Sequence, residues 1–213
     1  MKVTLIYFNF PFWRAEMARI SLFIGNIDFQ DLRINSDEFQ RVKSKGHLDS
    51  GIKVPFHQLP CLVVDKVSIV QSAGIGRYCG KLAGLYPIND AIQAALIDQY
   101  IDILTDITEI VSSTKIESRD EIFQGILSRK LYILNKNIDQ NSDYLVNNTL
   151  TIADIGIWSL MDWLISGKVD GVPLDILQDH NKITNVCKIV AGNTKVNEWI
   201  NKTYPQNYRR VKY

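Results

Sequence analysis

Apolar and polar positions along the chain change their period once, near residue 84. Before that point, residues 3–8 form a β-branched and aromatic run suited to a strand, and residues 14–24 carry Met17, Ile20, Phe23 and Ile24 at helical spacing. A second strand is expected over 28–34 and a polar helix over 36–45. Cys61-Leu62-Val63-Val64-Asp65 and Ser68-Ile69-Val70 then read as a hairpin turning at Asp65-Lys66-Val67, and a helix over 72–82 closes the unit. Strand, helix, strand, helix, hairpin, helix is an α/β order. Its first crossover favours a parallel strand pair, and its hairpin adds an antiparallel edge.

Beyond Asn89 the strand signals fade. Ile92, Leu96, Ile97, Ile101, Leu104 and Ile107 recur at steps of three and four, as one apolar helix face requires. Helical patterns follow near 121–137 and 152–165, with a shorter set near the C-terminus, so the second half is read as all-helical. Gly84-Leu85-Tyr86-Pro87 stops the preceding helix and starts a connection. The expected organisation is therefore a domain over 1–83, a linker over 84–88 and a helical domain over 89–213, without internal repeats.

Composition narrows the function. At 213 residues and 46% hydrophobic, the chain can bury substantial cores without metals or disulfides. Lys and Arg total 24 against 23 Asp and Glu, so no excess positive charge points to nucleic acid. Cys61, Cys79 and Cys187 are odd in number, widely spaced and free of any CxxC pattern, which argues against a disulfide framework or zinc site and suits a reducing cytoplasm. The first apolar stretch is broken by Asn9, Pro11 and Arg14, and no run reaches the ~18–20 residues of a membrane helix. Neither a signal peptide nor a membrane partner is expected, and the Asn-x-Thr matches at Asn147 and Asn201 should stay unmodified.

Two short segments carry chemistry. In Gln58-Leu59-Pro60 the proline leads directly into an apolar strand, where it cannot donate a ladder hydrogen bond. A cis bond there turns the preceding backbone outward and exposes the Leu59 amide and carbonyl to an extended peptide. In Gln71-Ser72-Ala73-Gly74 a strand turns straight into a helix. Ser72 is expected to cap that helix, whose positive N-terminal end attracts a carboxylate.

These segments, with Tyr7-Phe8-Asn9, Pro55-Phe56-His57-Gln58-Leu59-Pro60, Val63-Val64-Asp65, Ile75 and Arg77-Tyr78, resemble the glutathione-binding domain of soluble glutathione transferases, closest to the sigma-like class. In the helical half, Leu150-Thr151-Ile152-Ala153-Asp154 resembles the buried capping motif of the same family, with Thr151 and Asp154 as a reciprocal cap and Leu150 and Ile155 as a hydrophobic staple. The resemblance spans most of the chain. It implies a thioredoxin-like N-terminal domain followed by an all-α domain, a cytoplasmic homodimer, glutathione as co-substrate, and a small hydrophobic electrophile as second substrate.

Residue by residue, the resemblance implies that Tyr7 is the catalytic hydroxyl, with Arg14 as a nearby cation. Gln58, Leu59, Pro60, Gln71 and Ser72 would hold the peptide, and Lys43 or Lys53 its glycine carboxylate. Phe39 stands where the family often has a Trp and offers no N–H. Asp98 would reach across a dimer interface to the glutathione amine. It leads a stripe with Asp102, Asp106 and Glu109, whose last two members are read as a solvated helix face. Prostaglandin-isomerising relatives can place a divalent cation on interface acids; no metal is expected here. The chain departs from the family pattern in Phe10-Pro11-Phe12-Trp13, which is bulkier and one residue longer than the usual turn. The same resemblance leaves two alternatives open: a glutathione-dependent isomerase of prostaglandin type, and a non-catalytic binding or structural protein on the same fold.

Overall fold

The computed structural model describes residues 1–205; the last eight residues of the expected helical half lie outside them. Four strands, β1 (Val3–Phe8), β2 (Gln30–Ile34), β3 (Cys61–Val64) and β4 (Val67–Val70), form one sheet in the order β2-β1-β3-β4. The β1–β2 pair is parallel, and the β1–β3 and β3–β4 pairs are antiparallel. The hairpin turn is tighter than the sequence suggested: Val67 already pairs with Val64, and Asp65 takes a positive φ of 54° at the bend.

Alternation along the strands sends side chains to two faces. Val3, Leu5 and Leu62 meet Ala18 and Leu22 of α1 (Trp13–Ile24) and Ile75 and Cys79 of α3 (Ser72–Ala83). Ile6, Cys61 and Val70 meet Val42 of α2 (Ser36–Lys45) on the other face, with Leu48 and Val54 of the following loop. Asn35 starts α2 with a capping box to Glu38, and Gly46 ends it in the left-handed region.

After Gly84, whose φ of 71° closes α3, the chain is helical. The long α4 (Ala91–Ser113) buries Ile97, Ile101, Leu104 and Ile107, but leaves Ile92 and Leu96 of the expected apolar face exposed at its first turns. The helix expected over 121–137 is a short α5 (Arg119–Ile122) that passes through a π-helical turn at Phe123–Leu127 into α6 (Ser128–Asn137). A buried α7 (Ile152–Leu164) packs on α1, α4 and α8 (Asn181–Gly192), and α9 (Thr194–Thr203) returns to α1.

The Thr151–Asp154 box forms. The Asp154 carboxylate is fully buried and accepts hydrogen bonds at 2.7 Å each from the Leu145 N–H, the Thr151 N–H and the Thr151 hydroxyl. Burial nevertheless pushes its carboxyl up to about 6, against the pull of those donors.

Candidate active site

Tyr7 stands near the C-terminal end of β1, opposite Arg33 in the parallel register. Its ring is buried, and its hydroxyl has no hydrogen-bond partner among the described residues. Burial pushes that hydroxyl up to about 12, while the charges of Arg14 and Arg19 pull it down and Glu16 adds to the rise. At neutral pH Tyr7 is therefore protonated and able to donate.

What fixes this strand end is a buried guanidinium that the apolar pattern of α1 did not announce. Arg19 lies with its charge centre 5.8 Å from the Tyr7 ring centroid. Its Nε donates to Asp31 at 2.9 Å, and one terminal nitrogen donates to Glu16 at 2.8 Å and to the Phe10 carbonyl at 3.4 Å. The other donates to the Phe8 carbonyl at 3.2 Å. The second Glu16 oxygen accepts the indole N–H of Trp199 in α9 at 2.9 Å.

The Leu59–Pro60 bond is cis and Pro60 is buried at the entrance to β3. No partner for the Leu59 amide or carbonyl is found among the described residues. The next segment corrects the sequence reading. Ser72 does not cap α3 but is its first helical residue, and the N-cap position belongs to Gln71. Gln71 adopts φ 75°, ψ 119°, a conformation costing a non-glycine residue about 1–3 kcal/mol. This kink turns the Gln71 side chain out to meet Gln58, with Nε2 donating to Oε1 at 2.8 Å. Among the described residues the buried Ser72 hydroxyl finds no partner.

Around these groups lies a cleft of about 350 Å³, at the small end of the roughly 300–1,000 Å³ usual for ligand sites. One wall is Gln58, Leu59, Gln71 and Ser72, Arg14 and Phe39 flank it, and Thr105 and Glu109 of α4 face it. Phe39 meets Phe8 edge-on at 5.0 Å, so its ring completes an aromatic corner in place of a donor.

The other expected site residues, Tyr7 and Pro60 among them, lie outside the lining. Lys43 is on the exposed side of α2, its ammonium 5.0 Å from the Phe39 centroid, and Lys53 sits in a bridge opposite His47. The Asp98 carboxylate accepts from Arg77 Nε at 2.8 Å and from the Tyr86 hydroxyl at 3.0 and 3.1 Å, partners within its own chain. The acidic stripe thus splits: Asp106 pairs with Lys130, and Glu109, read from sequence as a solvated face, borders the cleft. Thr105 and Glu109 were not read as site residues. Their spacing of one helical turn, shared with the Asp98 series, was the available signal.

The extended loop is ordered by aromatic contacts. Phe10 lies 5.8 Å from Tyr7 and 5.9 Å from Phe8, and Phe12 meets Trp163 edge-on at 4.9 Å. Burial pushes the Cys61 thiol up to about 11 and that of Cys79 up to about 12, which makes both unreactive packing groups. Among the described residues, no group of three or more His, Cys, Asp or Glu is placed to hold a metal, and no helix is long and apolar enough to cross a membrane.

Residues 3–81 match the family model for the glutathione S-transferase N-terminal domain, and residues 101–203 match that for its C-terminal domain. Glutathione S-transferase 4 of Caenorhabditis elegans is 30% identical over 189 residues, covering 82% of this chain and 87% of the relative. Hematopoietic prostaglandin D synthase of Homo sapiens is 27% identical, covering 95% and 96% respectively. The solved structure of prostaglandin synthase D of Nilaparvata lugens superposes with a TM-score of 0.81 at 26% identity, covering 96% of this chain and all of that one. With a thioredoxin-like sheet domain, an all-helical partner domain and matches along both, the chain belongs to the glutathione S-transferase family.

Proposed function

We propose that this enzyme binds glutathione along the Gln58–Leu59 and Gln71–Ser72 wall and holds its thiol as a thiolate through the Tyr7 hydroxyl, for attack on a small electrophile. The observation that carries the reading is the set of unsatisfied groups on that wall. The buried Ser72 hydroxyl and the free Leu59 backbone match what an extended peptide with an anionic end would supply. The cysteinyl part pairs with the Leu59 backbone, and the γ-glutamyl carboxylate meets the start of α3. Lys43 or Lys53 meets the glycine carboxylate. Asp98 of a second subunit approaches the ammonium through the acceptor capacity left by Arg77 and Tyr86, in a cytoplasmic homodimer.

A free thiol with pKa ~8.5 is only a few per cent thiolate at pH 7. Lowering it by about two units takes roughly 2.7 kcal/mol of selective stabilisation of the anion. A protonated Tyr7 donating to sulfur, with the Arg14 charge nearby, supplies an interaction of that order. In conjugation to a chloronitroarene the sulfur–carbon bond forms, the carbon–chlorine bond breaks, chloride departs and the thiol proton passes to solvent. A glutathione-dependent isomerase on the same thiolate is the second reading, favoured by full-length similarity to two prostaglandin D synthases.

Tyr7→Phe tests the assignment. It should retain capture on immobilised glutathione, while conjugation at pH 6.5, well below the free thiol's pKa, drops by about tenfold or more, with partial recovery as pH approaches ~8.5. An unchanged rate at pH 6.5 removes Tyr7 from the mechanism, and absence of glutathione capture by the parent removes the site.

A further inference from the structure

The wall of the cleft contributed by α4 is polar and acidic, and this bears on which electrophiles the proposed thiolate can meet. The Trp13 indole N–H donates to the Thr108 hydroxyl at 2.7 Å, joining the first turn of α1 to α4. The neighbours of these two residues, Arg14 and Glu109, both line the cleft, with Thr105 one turn before Glu109. Of the charges that act on the Tyr7 hydroxyl, that of Arg14 lowers it most, so the cleft-lining Arg14 also bears on Tyr7. The Glu109 side chain is exposed, and among the described residues its carboxylate makes neither an ion pair nor a hydrogen bond. Arg14 likewise has no ion pair there, its guanidinium lying 5.2 Å from the Trp13 ring centroid.

Once the thiolate forms, the charges facing an incoming electrophile are the sulfur, Arg14 and Glu109, which sum to −1. An approaching carboxylate meets this excess, whereas a cation or a hydrogen-bond donor is met by Glu109 and the Thr105 hydroxyl. Resting on the proposed function, we infer that Glu109 is a specificity-determining residue. It favours electrophiles bearing a cationic or hydrogen-bond-donating group beside the reacting carbon and disfavours carboxylates, fatty-acid derivatives among them.

The test uses three chloronitrobenzenes that carry a carboxylate, a carboxamide or a trimethylammoniomethyl group para to chlorine, with each rate divided by that of free glutathione alone. In the full-length parent the corrected kcat/KM should favour the cation over the carboxylate by about fivefold, the scale of an exposed charge pair acting in opposite senses on two substrates. Glu109→Gln should reduce this preference to within about twofold, and Glu109→Lys should reverse it by about fivefold. A cation-to-carboxylate ratio that stays within about twofold of the parent value in Glu109→Lys, or a parent that prefers the carboxylate, overturns the inference while the transferase reading stands. Failure of the parent to turn over even the carboxamide, together with no glutathione uptake in calorimetry, takes the transferase reading down and this inference with it. Melting temperatures within a few degrees of the parent confirm that the variants are folded.

Discussion

Ser72→Ala should move stability and binding in opposite directions. Among the described residues the buried Ser72 hydroxyl, at the edge of the cleft, has no hydrogen-bond partner. A buried hydroxyl in that condition costs about 1–3 kcal/mol. At the first position of α3 the Ser72 hydroxyl makes no hydrogen bond among the described residues that alanine would lose. Against this gain stands only the small void left by one oxygen atom. The net expectation is a rise of about 1–2 kcal/mol in unfolding free energy, seen as an increase of about 2–8 °C in Tm for a chain of this length. Glutathione affinity should meanwhile fall by about 1–3 kcal/mol, between about fivefold and 150-fold in Kd, because a carboxylate loses one donor. Differential scanning calorimetry of the free protein and titration calorimetry with glutathione read the two effects separately. A lower Tm would mean that Ser72 already has a structural partner, and an unchanged Kd would place the peptide elsewhere; either result refutes the reasoning.

Three other expectations follow from particular contacts. The Asp154 carboxyl titrates near 6 when folded against an ordinary value of 3.8, so the native state binds that proton more tightly. Its contribution is fully present below about pH 4 and falls by about 3 kcal/mol as pH rises past 6. Urea unfolding of the parent minus Asp154→Asn, measured from pH 4 to 6.5, should show that decline, and a flat or rising difference contradicts it. Trp199→Phe leaves one oxygen of buried Glu16 without its 2.9 Å donor and should cost about 1–3 kcal/mol in the same assay, with equal stability showing that the bond contributes nothing. Asp98→Asn should weaken glutathione binding while leaving the proposed dimer unchanged in sedimentation, and a Kd equal to the parent's removes Asp98 from the proposed site.

The parallel first crossover, the antiparallel hairpin, the proline entering β3 and the change to helices were all legible in the sequence, because each rests on the local pattern of neighbouring residues. The Thr151–Asp154 box was legible for the same reason. Ser72 was misread because a serine before a helix is ordinarily a cap, and only the backbone shows that Gln71 takes that position with a positive φ. Glu109 is solvated, as a charged stripe on a helix ordinarily is, but it also borders the cleft. It follows Thr108, which accepts the indole N–H of Trp13 from 95 positions away, a contact that no period in the sequence encodes. Ile92 and Leu96 fit the helical spacing but remain exposed in the first turns of α4.

The buried Arg19 marks where local consistency gives way to positioning. An apolar residue there would suit a helix face buried against the sheet, yet the chain leaves β1 through a bulky loop whose Phe8 and Phe10 carbonyls need donors. A guanidinium supplies five donors in a fixed plane, enough to serve both carbonyls and still reach Glu16 and Asp31. Arg33 shares Asp31 at 2.8 Å, so two cations face two carboxylates and the network is neutral. Burying such a set adds little net stability, because desolvation offsets most of the Coulomb attraction. Its effect is geometric: the backbone on both sides of the turn after Tyr7 is tied to α1, β2 and, through Glu16 and Trp199, to α9. The strand end that carries the proposed catalytic hydroxyl is thereby held by the sheet domain and by the far end of the helical half together, so that a change in α9 can alter the site without touching glutathione.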